Sequence, residues 1–354
     1  MFEALTITSH RGRYTVDFDE EALERVNAKL PEAAHFIIDR RVAELYSKKM
    51  QKVLASPSVL LIDAIEINKS LNKFPGYVDH LVSHGVQRDH VLIAIGGGII
   101  QDLTCFLAAT ILRGVRWEFF PTTLLAQADS CIGSKSSINN GATKNILGTF
   151  TPPDNIYVAT SFLDTLNDRE VRSGVGEMLK VHAIDGPKSF DAIVADYDAL
   201  FNDRETMVRY VRRSLEIKKS YIEADEFDRG PRNIFNYGHT FGHAIEAATD
   251  FSIPHGIAIT IGMDMANWIS FKMGIGTADN YDRMHHTLAA NYRGFENVRV
   301  PIELFIKAIS KDKKNIGSGV TLILPNSDGY IFRDSYPNDF NFYKICSEYL
   351  EKKR

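Results

Sequence analysis

The chain has 354 residues, 44% hydrophobic and 24% charged, with a formal net charge of -4 and a pI near 6.3. At ~150 residues per domain this length calls for two domains, and the charge balance excludes a chain built to bind nucleic acid and a strongly acidic one. Cys105, Cys131 and Cys346 are odd in number and far apart, which excludes a disulfide framework and fits a reducing compartment. The opening MFEALTITSHRGRY lacks the apolar stretch of a signal peptide. The longest apolar runs, 91–100 and 103–112, reach about half of a membrane span. The expectation is a cytoplasmic enzyme with no membrane partner.

In chain order, short apolar runs alternate with helical stretches up to about residue 163. HFIID (35–39), VLLID (59–63), VLIAI (91–95), WEFF (117–120) and IYVA (156–159) read as buried strands, each rich in Val, Ile, Leu or Phe and ending near Asp, Gly or Pro. Windows 41–54 and 68–85 read as helices. This alternation predicts a parallel sheet with helices on both faces, whose ligands bind beyond the C-terminal strand ends. From about 164 the pattern becomes long amphipathic helices, clearest at Val211, Leu215 and Ile222, with one late strand signal, VTLILP (320–325), a single strand or a hairpin edge. The fold class is therefore an α/β N-terminal domain over 1–163 and a mainly α-helical C-terminal domain over 164–354.

Five segments carry candidate chemistry. Gly96-Gly97-Gly98 follows VLIAI and opens a helical window from about Ile99. Glycines let backbone approach a phosphate and a helix N-terminus favours negative charge, yet a plain strand-to-helix turn needs the same residues, and GxGxxG spacing is absent. Asp102 falls in the first helical turn, where the dipole favours an acid. Pro121-Thr122-Thr123 leads into QADSCIGSKSSINNGATKNILG (127–148), rich in small polar residues and carrying Asp129, Lys135, Lys144 and Asn145. A long polar loop at a strand end is either a site for an anionic, hydroxylated ligand or a solvated connection.

In RSGVGEMLKVHAI (172–184), Glu177, Lys180 and Ile184 share one helical face, as an ion pair or as part of a site. NYGHTFGHAIE (236–246) sets His239 and His243 four apart, and His255 follows a Pro-containing loop. Two histidines and one carboxylate are a catalytic-zinc set that leaves a position open; a helical HxxxH pair is also common as plain structure, and spacing does not say which carboxylate joins it. Lys218 interrupts the apolar stripe Val211, Leu215, Ile222, so it either snorkels or points into a site between the domains.

Together these motifs resemble the 3-dehydroquinate synthase family, the sugar phosphate cyclases, from about residue 30 to 325 and most strongly over 93–182 and 216–256. The resemblance implies an N-terminal Rossmann-like NAD domain, a helical C-terminal domain and a site in the cleft between them. It implies that Glu177, His239 and His255 hold a metal, zinc or in its place cobalt. Gly97, Gly98, Asp102, Thr122 and Thr123 match the NAD pyrophosphate and ribose region, Asp39, Glu66 and Lys69 other nucleotide contacts, and Thr165 and Leu166 a further NAD-contacting turn. Asp129, Lys135, Lys144, Asn145, Lys180, Lys218, Arg232, Asn236 and His243 match the substrate pocket, with Asp129, Lys135 and Lys144 also near the cofactor. Lys313 or Lys314 resembles a late phosphate-binding lysine. Arg113, in LRGV, matches an arginine that reaches the neighbouring subunit's site, which implies a homodimer.

Departures from the family pattern cluster on the substrate side. GGGIIQD has Gln101 where a glycine is usual, IGSK puts Ser134 before Lys135, NGATKN (140–145) replaces HPxGKN, and Asp228 stands where Glu is expected. Lys218 and Arg232 match positions that bind a substrate carboxylate. The resemblance thus implies a phosphate-eliminating lyase of the shikimate pathway and aromatic amino acid biosynthesis, converting 3-deoxy-arabino-heptulosonate 7-phosphate to 3-dehydroquinate. The alternatives are a divergent cyclase for a specialised metabolite or surface polysaccharide and a metal-dependent alcohol or glycerol dehydrogenase, against which the loop lysines argue. A third is a non-catalytic regulator, against which the intact Glu177, Lys180, His239 and His255 argue.

Overall fold

The computed structural model describes residues 3–141, 143–310 and 319–352, so Lys313 and Lys314 lie outside the described residues. The chain divides into two compact units, one of Met1–Leu166 with Lys218–Asp228, the other of Asn167–Ile217 with Arg229–Arg354. The end of one long helix and the turn after it thus pack with the N-terminal half.

The first unit holds strands β1 (Leu5–Ser9), β2 (Gly12–Phe18), β3 (Ala34–Asp39), β4 (Val59–Ile62), β5 (Val91–Gly96), β6 (Arg116–Pro121), β7 (Ile138–Asn140), β8 (Thr143–Leu147) and β9 (Asn155–Val158). Seven of them form one sheet in the order β1-β2-β9-β6-β5-β3-β4, and β7 pairs with β8 apart from it. All the sheet's neighbours are parallel except the β1–β2 hairpin. Every residue of β5 is buried, as expected for a central parallel strand covered on both faces, and this explains its unbroken apolar run. Phe36, Ile38, Ile93, Ile95 and Phe120 form a core with Val42, Met50 and Val53. From β3 the chain goes to β4 on one side and returns to β5 on the other. The switch point that binds ligands in such sheets therefore lies beyond Asp39 and Gly96.

The five expected strands form, and three expectations need correction. The β1–β2 hairpin gave no recognised signal. Window 41–54 is broken into helices Arg40–Leu45 and Gln51–Leu54 around a turn at Ser47–Lys49, and in 68–85 the helix is Phe74–Ser83, begun where Pro75 fits the first turn. The 127–148 segment is not a loop throughout. It contains a wide helical turn, Ala126–Ser130, and the β7–β8 hairpin, because Ile138 and Asn139 are buried and buried backbone groups must be paired.

The second unit is mainly helical, and its helices include Asp168–Asp185, His239–Ala248, His255–Lys272, Ala278–Asn291 and Phe340–Lys352. Asn167 and Glu170 close the first of these with a capping box. VTLILP lies in β10 (Gly319–Pro325), which pairs antiparallel with β11 (Ile331–Pro337), so it is one arm of a hairpin. Residues 256–270 are all buried, so their helix has no wet face and runs through the unit's core. No helix among the described residues is long and apolar enough to cross a membrane. Cys105, Cys131 and Cys346 are buried free thiols.

Helix approach in this unit is set by glycine. A Cβ on Gly256 would strike the Ser173 carbonyl, one on Gly176 would strike the Gly256 carbonyl, and one on Gly262 would strike the Gly238 carbonyl. Without side chains at these points the backbones meet directly.

One buried group ties stability to pH. His35 bonds Ser58 Oγ through Nδ1 at 2.7 Å and His90 Nδ1 through Nε2 at 2.9 Å. Burial, then the neighbouring His90, pushes it down to about 4 from the usual 6.5. Below pH 6.5 the unfolded chain takes a proton at this residue that the folded chain refuses until about 4. Stability is therefore complete above 6.5 and falls with pH across that window, by up to ~1.4 kcal/mol per unit. Urea midpoints at pH 7 and pH 5 should converge in His35→Gln relative to the parent; an unchanged difference would assign the slope to other groups.

Candidate active site

The second unit gathers a compact cluster of imidazoles and carboxylates. Glu177 leaves the Asp168–Asp185 helix beside Gly176, and His255 opens the His255–Lys272 helix beside Gly256, so the glycine crossing brings the two together. Glu177 Oε1 lies 3.4 Å from His255 Nε2 and 3.9 Å from His239 Nε2. His239, His243 and His255 each offer a nitrogen, all within 4.8 Å of one another. The far nitrogens are tied: His255 Nδ1 meets the Glu246 carboxylate at 3.2 and 3.3 Å, and His239 Nδ1 meets the Tyr237 carbonyl at 3.2 Å. These bonds fix both rings with Nε2 directed at Glu177, the arrangement that prepares imidazoles as ligands.

The electrostatics fit a cation. Glu177 and Lys180 are 1% and 2% exposed, and Lys180 Nζ sits 2.5 Å from Glu177 Oε2. Burial would raise the Glu177 carboxyl, but Lys180 and His255 outweigh it and hold the group well below the usual carboxylate range. Burial likewise opposes charge on His255, and Glu177 and Glu246 overcome it, raising the imidazole to about 10. The protonated ring supplies positive charge that a metal ion would supply instead. A carboxylate with imidazole nitrogens, already oriented from behind, is a donor set suited to zinc or cobalt.

The first unit gathers a second set at the C-terminal ends of its strands. Asp39 at the end of β3 accepts a bond from the Arg41 amide, and Gly97 caps the helix Gly98–Thr110 after β5. A Cβ on Gly97 would come within 2.9 Å of Thr123 Cγ2, so glycine is what lets the two strand-end turns touch. The Thr122 amide bonds the Gly96 carbonyl at 2.9 Å. Lys69 Nζ donates to Asp102 Oδ2 and Asn145 Oδ1, both at 3.0 Å, and to Ser137 Oγ at 3.2 Å. Asp102 also accepts from Ser137 N and Oγ. Burial pushes the Asp102 carboxyl upward, against the pull of Lys69. Gln101 bonds Ser130 twice, Nε2 to the carbonyl at 2.6 Å and Oε1 from the hydroxyl at 2.7 Å.

Lys218, 8% exposed, forms an ion pair with Asp129 Oδ1 at 2.7 Å and donates to the Asp129 carbonyl at 2.6 Å. Its interruption of the apolar stripe thus marks a specific buried contact. Lys135 pairs with Asp228. Ser134 stands at φ 65°, where glycine costs nothing, and its hydroxyl donates to Glu226 Oε1 at 2.8 Å.

Glu66 Oε1 accepts from Asn139 at 2.8 Å and also lies 3.8 Å from Lys69 Nζ. Thr165 Oγ1 bonds Tyr46 OH at 3.1 Å, and Leu166 ends the turn Thr160–Thr165. Lys144 is exposed on β8 and Arg113 is exposed in a turn. Arg232 is buried, and Asn236 Nδ2 donates to the Asn233 carbonyl at 2.9 Å. The sequence reading missed Glu246, Ser137 and Glu226. Glu246 lay inside the quoted NYGHTFGHAIE segment, three residues after His243, and that helical spacing was the available signal.

An α/β unit on a mostly parallel sheet joined to a helical unit is the architecture of the dehydroquinate synthase-like enzymes. Family models described as 3-dehydroquinate synthase N-terminal and C-terminal match residues 59–173 and 174–315. The chain is 34% identical over 311 residues to the 3-dehydroquinate synthase of Agrobacterium fabrum, covering 84% of this chain and 82% of that one. It is 36% identical over 291 residues to that of Dictyoglomus thermophilum, covering 81% of each. Its fold is similar to a 2-deoxy-scyllo-inosose synthase complexed with carbaglucose-6-phosphate, NAD+ and Co2+, with TM-score 0.82 and 21% identity over 99% of this chain and 100% of that one. It is also similar to 2-epi-5-epi-valiolone synthase from Streptomyces hygroscopicus subsp. jinggangensis with NAD+ and Zn2+ bound, with TM-score 0.81 and 24% identity over 99% and 98%. The chain belongs to the 3-dehydroquinate synthase family.

Two substitutions test the imidazole cluster. Purified His255→Ala should lose bound metal by elemental analysis, whereas Glu246→Gln, which leaves the ligands and removes only the orienting charge, should bind metal roughly 10- to 100-fold more weakly. Equal metal affinity in Glu246→Gln and the parent would deny Glu246 that role.

Proposed function

We propose that the chain is a cytoplasmic 3-dehydroquinate synthase. It takes 3-deoxy-arabino-heptulosonate 7-phosphate to 3-dehydroquinate with loss of phosphate, using NAD and a divalent metal, zinc or cobalt. The observation that carries this reading is the convergence of Glu177 Oε1 on the Nε2 atoms of His239 and His255, in a chain 34% identical to a curated synthase. A metal held by Glu177, His239 and His255 would supply Lewis-acid polarisation of a ring hydroxyl, and NAD would supply a hydride acceptor that is restored within the cycle, leaving no net redox change.

The residues then divide the remaining tasks. Glu177, His239 and His255 hold the metal, with Lys180 neutralising the buried carboxylate and Glu246 orienting His255. Gly97, Gly98, Thr122 and Thr123 receive the NAD pyrophosphate and ribose, with Asp102, Asp39, Glu66, Lys69, Thr165 and Leu166 at the other nucleotide contacts. Lys135, Lys144, Asn145, Asn236 and His243 bind the substrate phosphate and hydroxyls. For Lys135 the phosphate replaces Asp228 as its anionic partner. Lys218, held by Asp129, and Arg232 clamp the carboxylate, Arg232 by a bidentate contact. Arg113 and Leu112 both have positive φ, 68° and 51°; this outward turn is the segment that reaches a second copy in a homodimer.

A related sugar phosphate is the second reading, favoured by Ser134 and by the NGATKN segment on the substrate side. Purified chain with NAD, zinc and 3-deoxy-arabino-heptulosonate 7-phosphate should release phosphate catalytically while absorbance in the NADH band stays flat. Accumulating NADH would point to a dehydrogenase, and no phosphate release from loaded protein would favour the second reading. Arg232→Ala should lower kcat/KM for the carboxylate substrate roughly 10- to 100-fold; an unchanged value would remove Arg232 from the clamp.

A further inference from the structure

The opposite end of the sheet holds a concave site that the reaction leaves unused. Strands β2, β9, β6 and β5 are consecutive neighbours, and at their N-terminal ends lies a cavity of about 320 Å³ lined by Arg11, Arg13, Arg88, Arg116, Trp117 and Thr151, among others. Arg13 is in β2, Arg116 starts β6, and Arg88 stands three residues before β5, so the parallel order itself collects these side chains at one edge. Asp154 is the one acid among the described lining residues, 3.8 Å from Arg116. Among the described residues, Arg11, Arg13 and Arg88 have no ion pair. Gly12 and Gly114, with φ of 114° and 128°, would meet no atom within 4 Å if given a Cβ, so the walls stay open at these points.

Four guanidiniums against one carboxylate, in a chain whose net charge is -4, make a local field that attracts anions. Guanidinium forks match the oxygens of phosphate and carboxylate groups. The volume is at the lower end of small-molecule sites. We propose that this cavity is a second binding site, for a small anion of two or more negative charges, phosphorylated or polycarboxylate. It is separated from the Gly96 end by the six-residue strands β5 and β6, roughly 20 Å. The proposal is independent of the assigned reaction, because none of these residues serves it.

The test uses inorganic pyrophosphate and citrate as probes, titrated calorimetrically at fixed ionic strength into the intact chain and into Arg13→Ala/Arg88→Ala. Saturable binding that the double variant weakens roughly 10- to 100-fold, with NAD affinity unchanged, supports the site. A response to pyrophosphate alone assigns a phosphorylated ligand, and a response to citrate alone a polycarboxylate. Should the alanine variant fail to fold, Arg13→Lys/Arg88→Lys keeps the charge, loses the forks and should weaken binding by a smaller factor. No saturable binding of either probe, or binding that the variants leave unchanged, overturns the proposal. So does a chain that binds neither probe and whose double variant changes oligomeric state, since the arginines would then serve contact between copies.

Discussion

The imidazole and carboxylate cluster depends on how closely three helix backbones approach. Glu177 follows Gly176 and His255 precedes Gly256, and a Cβ on either glycine would collide with backbone of the facing helix. Any larger residue there would force the helices apart, and a carboxylate and an imidazole now 3.4 Å apart would separate with them. The same logic holds at Gly238 and Gly262, where the His239–Ala248 helix meets His255–Lys272. The geometry of the cluster is thus a consequence of packing, and the glycines beside Glu177 and His255 are as necessary to it as those side chains.

Close approach has an electrostatic cost, which the surrounding residues offset. Burying Glu177 is unfavourable unless its charge is matched, and Lys180 on the next helical turn matches it; removing one partner of such a pair leaves an uncompensated buried charge, which costs ~3–5 kcal/mol. In the first unit the Lys69, Asp102, Ser137 and Asn145 network does comparable work for the hairpin. The departures from the family pattern are also compensated. Gln101 is larger than the usual glycine but bonds Ser130 at both ends of its amide. Ser134 occupies a left-handed backbone position, and its bond to Glu226 offsets strain that glycine would not have.

The sheet was legible because strands covered on both faces carry unbroken apolar runs, as β5 does. The β1–β2 hairpin escaped because half of each strand is wet, and LTITS and GRYTVDF look like surface chain. Periodicity reported single faces well: Glu177 with Lys180, His239 with His243, and Lys218 within an apolar stripe. It could not report which faces meet. That is why Glu177 entered as a metal ligand only through resemblance to a family, and why Asp129 as the partner of Lys218 became visible only in three dimensions. The 127–148 segment misled for a related reason, since small polar residues gave no sign that Ile138 and Asn139 would be buried and paired.

His255 is the first residue of a helix whose next fifteen residues, 256–270, are all buried. A metal held by His255 would be attached to the buried core of its unit, with no counterpart in the unfolded chain. Binding of that kind shifts the folding equilibrium by mass action, adding ~2.7 kcal/mol when free metal is at a hundred times its dissociation constant. Metal bound at His255 would therefore stabilise the fold of this unit as well as serve the reaction.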